Sequence, residues 1–211
     1  FSSSAIYEKQ IIKPFDENIT KPPVLMYATT KYLAEKYFDS VVKSYNINVI
    51  SLRLANIYGR NQDYFRKQTP FLGYLIKNTL NNKKLTLFAK GNYRRDYLFI
   101  DDLTNLIFKI LKFKKFNRKN YIFNLGSGNA YSVLDFLKFI KKITGIKPNV
   151  VWGNKSNYWK KYDQLYKSKI KLDKKLIEEE VEKKVILNSN KIKSFFKWKP
   201  KTDIIEGLKE C

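Results

Sequence analysis

From Tyr27 to Tyr45 the apolar side chains Leu33, Ala34, Tyr37, Phe38, Val41, Val42 and Tyr45 recur at helical spacing. That is the pattern of a long amphipathic helix, which Asn46 and Asn48 bring to an end. Val49 to Leu54 then forms an unbroken run of strand character, expected to be buried on both faces. Ahead of the helix, Phe1 to Tyr7 reads as the end of another strand, followed by a polar, proline-containing loop from Glu8 to Pro23. Strand, helix, strand in this order predicts a βαβ unit with a parallel sheet, and an α/β fold. The chain is expected to begin in the middle of such a fold.

Further along, a helix is expected near Pro70 to Leu80, a short strand over Leu85–Phe88, a turn at Lys90–Tyr93 and a strand over Tyr97–Ile100. Asp101 or Asp102 is placed to cap the next helix, whose apolar face is Leu103, Leu106, Ile107, Ile110 and Leu111. Tyr121–Leu125 reads as a strand ending at Gly126-Ser127-Gly128. Ser132, with Asp135 at the capping-box offset, opens another helix, and Gly145 stops it before the strand Val150–Trp152. Gly153 to Lys184 is lysine-rich and weakly patterned, reads as solvated surface, and carries a short charged helix over Leu172–Lys184. A final amphipathic turn runs through Ile204, Ile205 and Leu208.

Composition changes this picture mainly by exclusion. With 44% hydrophobic and 16% aromatic residues in 211, the chain has the apolar surface for a packed core. The formal charge is +23, from 42 Lys+Arg against 19 Asp+Glu. Only Arg53, Arg60, Arg66, Arg94, Arg95 and Arg118 are arginines, so the charge is dispersed lysine. Base readout and bidentate phosphate capture favour arginine, and specific nucleic-acid binding is not expected. Histidine is absent and Cys211 is the one cysteine, which removes His-based triads, a disulfide framework and Cys or His metal sites. No apolar run approaches the roughly 20 residues of a membrane span, and no signal peptide opens the chain. A cytoplasmic location is the expectation.

Acid–base chemistry is therefore left to Tyr, Lys and carboxylates. Tyr27 and Lys31 stand four apart on one helix, hence on one face. An ammonium beside a phenol favours phenolate and can bring a tyrosine into use as a general acid or base. On spacing alone, the pair also reads as a half-buried tyrosine beside a solvated lysine.

Six ordered stretches give the pair a context: Ser2-Ser3-Ser4-Ala5-Ile6-Tyr7, Tyr27-x-x-x-Lys31, Leu52-Arg53-Leu54-Ala55-Asn56-Ile57-Tyr58-Gly59, Arg94-Arg95-Asp96-Tyr97 leading to Asp101-Asp102, Asn124-Leu125-Gly126-Ser127-Gly128, and Trp198-Lys199-Pro200. In this order and spacing they resemble the extended short-chain dehydrogenase/reductases, specifically the NAD-dependent nucleotide-sugar epimerases and dehydratases. The resemblance covers nearly the whole chain.

It implies the C-terminal part of a Rossmann-like parallel sheet plus a small α/β substrate domain. Residues 1–65 would carry what remains of the NAD-binding domain, and 66–211 mainly the nucleotide-sugar domain, with 97–125 returning to the Rossmann sheet. Tyr27 would exchange a proton with a sugar hydroxyl while a hydride passes to or from NAD, and Lys31 would bind the nicotinamide ribose. A serine would hold the same sugar oxygen. Counting back from Ile6-Tyr7 makes it Ser3, the preferred choice, and counting forward from Phe1 makes it Ser4. Ala55 would approach the nicotinamide, and Asn56 and Arg95 would contact the substrate's diphosphate, a role that suits a guanidinium fork. For Arg95 a surface ion pair with Asp96 or Asp102 is the other reading. Phe88, Pro70 and Phe71 would line the nucleotide pocket or simply pack in the core.

The departures matter too. The glycine-rich dinucleotide turn is absent, so NAD rather than NADP rests on the resemblance, and Gly126-Ser127-Gly128 does not substitute because it lacks the third glycine. The family's substrate-domain arginine ahead of the Trp-x-Pro end is not visible. Ser-Ser-Ser-Ala resembles epimerases more than 4,6-dehydratases, which carry Thr-Asp-Glu there. The expectation is an N-terminally truncated NDP-hexose 4-epimerase, as a homodimer through the Tyr27–Tyr45 helix. A dehydratase, decarboxylase or reductase of the same family, a polyanion-binding module and an inactive fragment are the alternatives.

Overall fold

The computed structural model describes residues 1–8, 14–18, 21–63, 69–117, 119–154 and 183–211. The expected βαβ unit is present: β1 (Ser2–Ser3) and β2 (Val49–Leu54) are parallel neighbours joined through the 20-residue helix α1 (Met26–Tyr45). Asn46, in the left-handed region at φ 57°, ends α1, as expected of a residue whose short side chain tolerates that conformation. Parallel to β2 on its other side lies β6 (Asn120–Leu125), so the sheet order is β1-β2-β6.

At Ala55 the chain leaves this sheet, and β3 (Asn56–Tyr58) begins a second one with β5 (Arg94–Phe99) and β7 (Ala130–Ser132). β3 and β5 are parallel, β5 and β7 antiparallel. Of the span 97–125, only β6 pairs in the β1-β2-β6 sheet; β5 belongs to the second sheet, although Leu98 reaches into the core beneath the first. A third, two-stranded sheet joins β4 (Leu85–Leu87) in parallel to β8 (Val150–Trp152).

Two large cores and a smaller one result. Beneath the first sheet, Leu52, Phe123 and Leu125 pack against α3 (Ile100–Lys112) through Leu103 and Leu106, and against α5 (Asn190–Phe196) through Ile192 and Phe196, with Trp198 beside them. The other core gathers Leu72 and Leu75 of α2 (Phe71–Leu80), Phe136 and Ile140 of α4 (Val133–Thr144), and Leu208 of α6 (Ile204–Lys209) around Tyr58, Tyr97 and Phe99. Among the described residues, no helix is long and apolar enough to cross a membrane.

Three local expectations fare differently. Ser132 does cap α4 through a full capping box: its Oγ accepts from the Asp135 N–H at 3.1 Å and Asp135 accepts from the Ser132 N–H at 2.8 Å. Ser132→Ala should cost about 1 kcal/mol of stability, read as a lower urea midpoint at unchanged slope; an unchanged midpoint contradicts the cap. Asp101 and Asp102 do not cap α3, whose N-cap is Phe99 with no side-chain bond. The buried Asp102 instead accepts from the backbone N–H groups of Lys201 (2.9 Å) and Thr202 (3.0 Å), fastening the C-terminal segment, and Asp101 pairs with Arg60. The apolar stripe of α1 is not its buried face: Ala28, Glu35 and Val42, at intervals of two turns, are buried, whereas Leu33, Tyr37 and Tyr45 are 58%, 67% and 72% exposed. The sheet takes a narrow seam of small and medium side chains plus one carboxylate. The span 155–182, with most of the helix expected over Leu172–Lys184, lies outside the described residues.

Candidate active site

At the C-terminal ends of β1 and β2, where parallel α/β sheets place their ligand sites, the first turns of α1 face the serine segment across a cleft of about 430 Å³. Seven of the eight residues expected at a site line it: Ser3, Ser4, Tyr27, Lys31, Ala55, Asn56 and Arg95. The eighth, Phe88, stands outside the cleft at the end of β4 and packs against Gly153, where a Cβ would meet its ring. Pro70 and Phe71 lie at the start of α2, also away from the cleft, with Phe71 against the core.

Tyr27 sits in the first turn of α1, 59% exposed, with its side chain bordering the cleft. One turn on, Lys31 Nζ lies 5.8 Å from the centre of the Tyr27 ring and donates to the Phe1 carbonyl at 3.0 Å. The ammonium is thereby fixed between phenol and serine segment. Ser3 is the last residue of β1 and caps a 3-10 turn over Ser4–Ile6, its Oγ accepting from the Ala5 N–H at 3.1 Å. A turn-capping role and a place in the cleft therefore coincide in one serine, and Ser4 lines the cleft beside it.

Across the cleft, Asn56 donates through Nδ2 to the Asp96 carbonyl at 3.2 Å, and the Arg95 guanidinium lies 5.5 Å from the Tyr93 ring centre. The neighbouring carboxylates are committed elsewhere. Asp102 holds Lys201 and Thr202, while Asp96 accepts from Ser127 N–H (2.9 Å), Ser127 Oγ (2.8 Å), Gly128 N–H (3.1 Å) and Leu187 N–H (3.2 Å). The Gly126-Ser127-Gly128 loop thus wraps a carboxylate of its own chain, and a Cβ on Gly126 would run into that group.

Lys183, only 1% exposed, also lines the cleft, and sequence reasoning missed it. Its place follows from the backbone: Val185 bridges to Arg95, which brings residues 183–185 to the rim. Nothing in a chain so full of lysine marks this one. No carboxylate lines the cleft among the described residues, while Lys31, Arg95 and Lys183 all do. Three cations with hydroxyls of Ser3, Ser4 and Tyr27 suit a ligand bearing both anionic groups and sugar-like hydroxyls. An ammonium and a phenol on one helix face, beside the small Ala55, likewise fit the diol of a dinucleotide ribose.

A sequence model of the NAD dependent epimerase/dehydratase family matches residues 1–126. Over 208 residues, 99% of its length, the chain is 27% identical to a Methanocaldococcus jannaschii protein provisionally named a UDP-glucose 4-epimerase. It is 31% identical over 75% of its length to an uncharacterized UDP-glucose epimerase of Bacillus subtilis. It spans 59% and 49% of the lengths of these two relatives. Among solved structures, UDP-glucose 4-epimerase of Thermotoga maritima with UDP-glucose superposes at a TM-score of 0.75 and 25% identity, covering 99% of this chain and 59% of that one. MoeE5 with UDP-glucuronic acid and NAD, at 20% identity, shares the fold with a TM-score of 0.77 over 99% of this chain and 61% of its own.

Proposed function

The chain belongs to the NAD dependent epimerase/dehydratase family, and from that premise we propose that its cleft epimerises a nucleotide-diphosphate sugar at C4. The observation that carries this reading is the gathering of Ser3, Tyr27, Lys31, Ala55, Asn56 and Arg95 around one cleft from four separate stretches of sequence. NAD, when bound, supplies the hydride acceptor and donor for transient oxidation of the sugar.

The rest falls to the chain's own side chains. Tyr27 takes the proton from the sugar hydroxyl and later returns it, acting as general base and then acid. Ser3 holds the same oxygen by a hydrogen bond, with Ser4 alongside. Lys31 keeps positive charge beside the phenol and would hold the nicotinamide ribose, where the small Ala55 would leave room for the ring. Arg95 neutralises the diphosphate and Asn56 orients it. A 4,6-dehydration requires a further acid and base at the sugar, and the absence of any carboxylate lining the cleft among the described residues favours epimerisation. The exposed Leu33, Tyr37 and Tyr45 of α1 support a homodimer formed through that helix.

The test uses the protein expressed from its complete reading frame. It is expected to release NAD on denaturation, to melt at a higher temperature with UDP-glucose, and to interconvert UDP-glucose and UDP-galactose. A protein that carries no NAD, shows no thermal shift with UDP- or dTDP-sugars and turns none over is not this enzyme.

A further inference from the structure

From Ser2, which lines the cleft beside Ser3, a polar row crosses the first sheet. Ser2, Arg53 and Asn124 are direct neighbours in the parallel register, β1 to β2 to β6, and all three are buried. The row above it, toward the strand ends, is Ser3, Leu54 and Leu125. The buried row is closed by side chains from elsewhere. Glu35 of α1 receives Ser2 Oγ at 2.6 Å and a two-pronged bond from Arg53, Nε at 2.9 Å and Nη2 at 2.6 Å. Arg53 Nη1 donates to Tyr7 Oη (2.9 Å) and to the Glu17 carbonyl (2.7 Å), and Tyr7 Oη donates on to Asn124 Oδ1 (2.6 Å). Burial pushes the Tyr7 phenol up to about 12, with Arg53 pulling the other way, so it remains a neutral relay.

Each strand of this network ends next to a residue of the cleft. Ser2 precedes Ser3, Glu35 is one helical turn beyond Lys31 and two beyond Tyr27, and Arg53 is two residues before Ala55. α1 therefore grips the serine segment at consecutive turns, Lys31 on the Phe1 carbonyl and Glu35 on Ser2. A buried ion pair is poor evidence for stability, because apolar residues of similar volume often serve as well. What a bidentate guanidinium–carboxylate pair supplies better than apolar contact is a fixed relative position.

We infer that Glu35 and Arg53, acting through Ser2, are positioning residues that set the separation between the Tyr27–Lys31 helix and the serine held against the sugar. The inference rests on the epimerase reading above. Geometric misplacement by about 1 Å can cost as much as 10²-fold in rate, and the hydrogen bond from Ser2 is the link to Glu35 that a substitution can cut.

The experiment compares Ser2→Ala, Ser2→Thr and Glu35→Gln in the protein expressed from its complete reading frame. Ser2→Ala is expected to lower kcat for UDP-glucose by on the order of 10-fold or more, with KM within about twofold and the melting temperature nearly unchanged. Ser2→Thr, which keeps the hydroxyl, restores kcat. Amide hydrogen exchange across Ser2–Tyr7, measured without substrate, rises in Ser2→Ala and in Glu35→Gln. Wild-type kcat and wild-type exchange in Ser2→Ala overturn the inference, as does a kcat loss that merely tracks a fall in melting temperature. An unmodified protein that lacks turnover overturns the epimerase reading, and unchanged exchange in that same protein's Ser2→Ala variant then removes the positioning role as well.

Discussion

Replacing Tyr27 by phenylalanine leaves the fold intact and lowers turnover of UDP-glucose by roughly 10²–10⁴-fold, the usual contribution of a positioned proton-transfer group. Tyr27 is well suited to such a test. At 59% exposed in the first turn of α1, its ring is not part of any of the three cores, and no cap depends on its hydroxyl. The substitution removes one oxygen and keeps the ring beside Lys31. The loss should appear in kcat with the melting temperature and the UDP affinity close to wild type, because Arg95 and Asn56 bind the diphosphate elsewhere in the cleft. Turnover equal to wild type would move the proton-transfer role away from Tyr27.

The largest effect on stability is expected at Asp96. Its carboxylate ties together the Gly126–Gly128 loop and Leu187, residues 31 to 91 positions away, and it is itself 1% exposed. Burial raises the Asp96 carboxyl above its ordinary range, and the donors of Ser127, Leu187 and Gly128 pull it back down. Asp96→Ala strands three backbone N–H groups at once, that of Leu187 buried and those of Ser127 and Gly128 partly so. With about 1–3 kcal/mol for each unsatisfied group, partly relieved by water, the loss is on the order of 4 kcal/mol. Urea unfolding monitored by circular dichroism measures it. A loss below about 1 kcal/mol would mean that the loop keeps its place without this anchor.

Much of the cleft was legible in the sequence because its residues sit in short, local patterns. Tyr27 and Lys31 are linked by helical spacing alone, and the caps Asn46, Ser132 and Gly145 announce helix ends within three or four residues. What escaped was set by distant partners. Asp102 stands where a cap belongs, yet N–H groups about a hundred residues further on claim its carboxylate. Arg53 looks like a charge interrupting an apolar strand until Glu35 is seen facing it. Helical periodicity marked the apolar stripe of α1 but could not tell which side the sheet would take, and a seam containing Glu35 is invisible to any count of apolar residues. Phe88, just past the end of β4, has its ring against Gly153 and does not line the cleft.

The row Ser2, Arg53 and Asn124 also emerges in stages during synthesis. Glu35 of α1 precedes Arg53 and can receive its guanidinium early, but Asn124, the far end of the row, lies beyond five intervening elements. At ~5–20 residues per second of synthesis, several seconds separate the appearance of Leu54 from that of Leu125. During that interval the third strand of the sheet does not yet exist, and one edge of β2 is an open template for pairing with another chain.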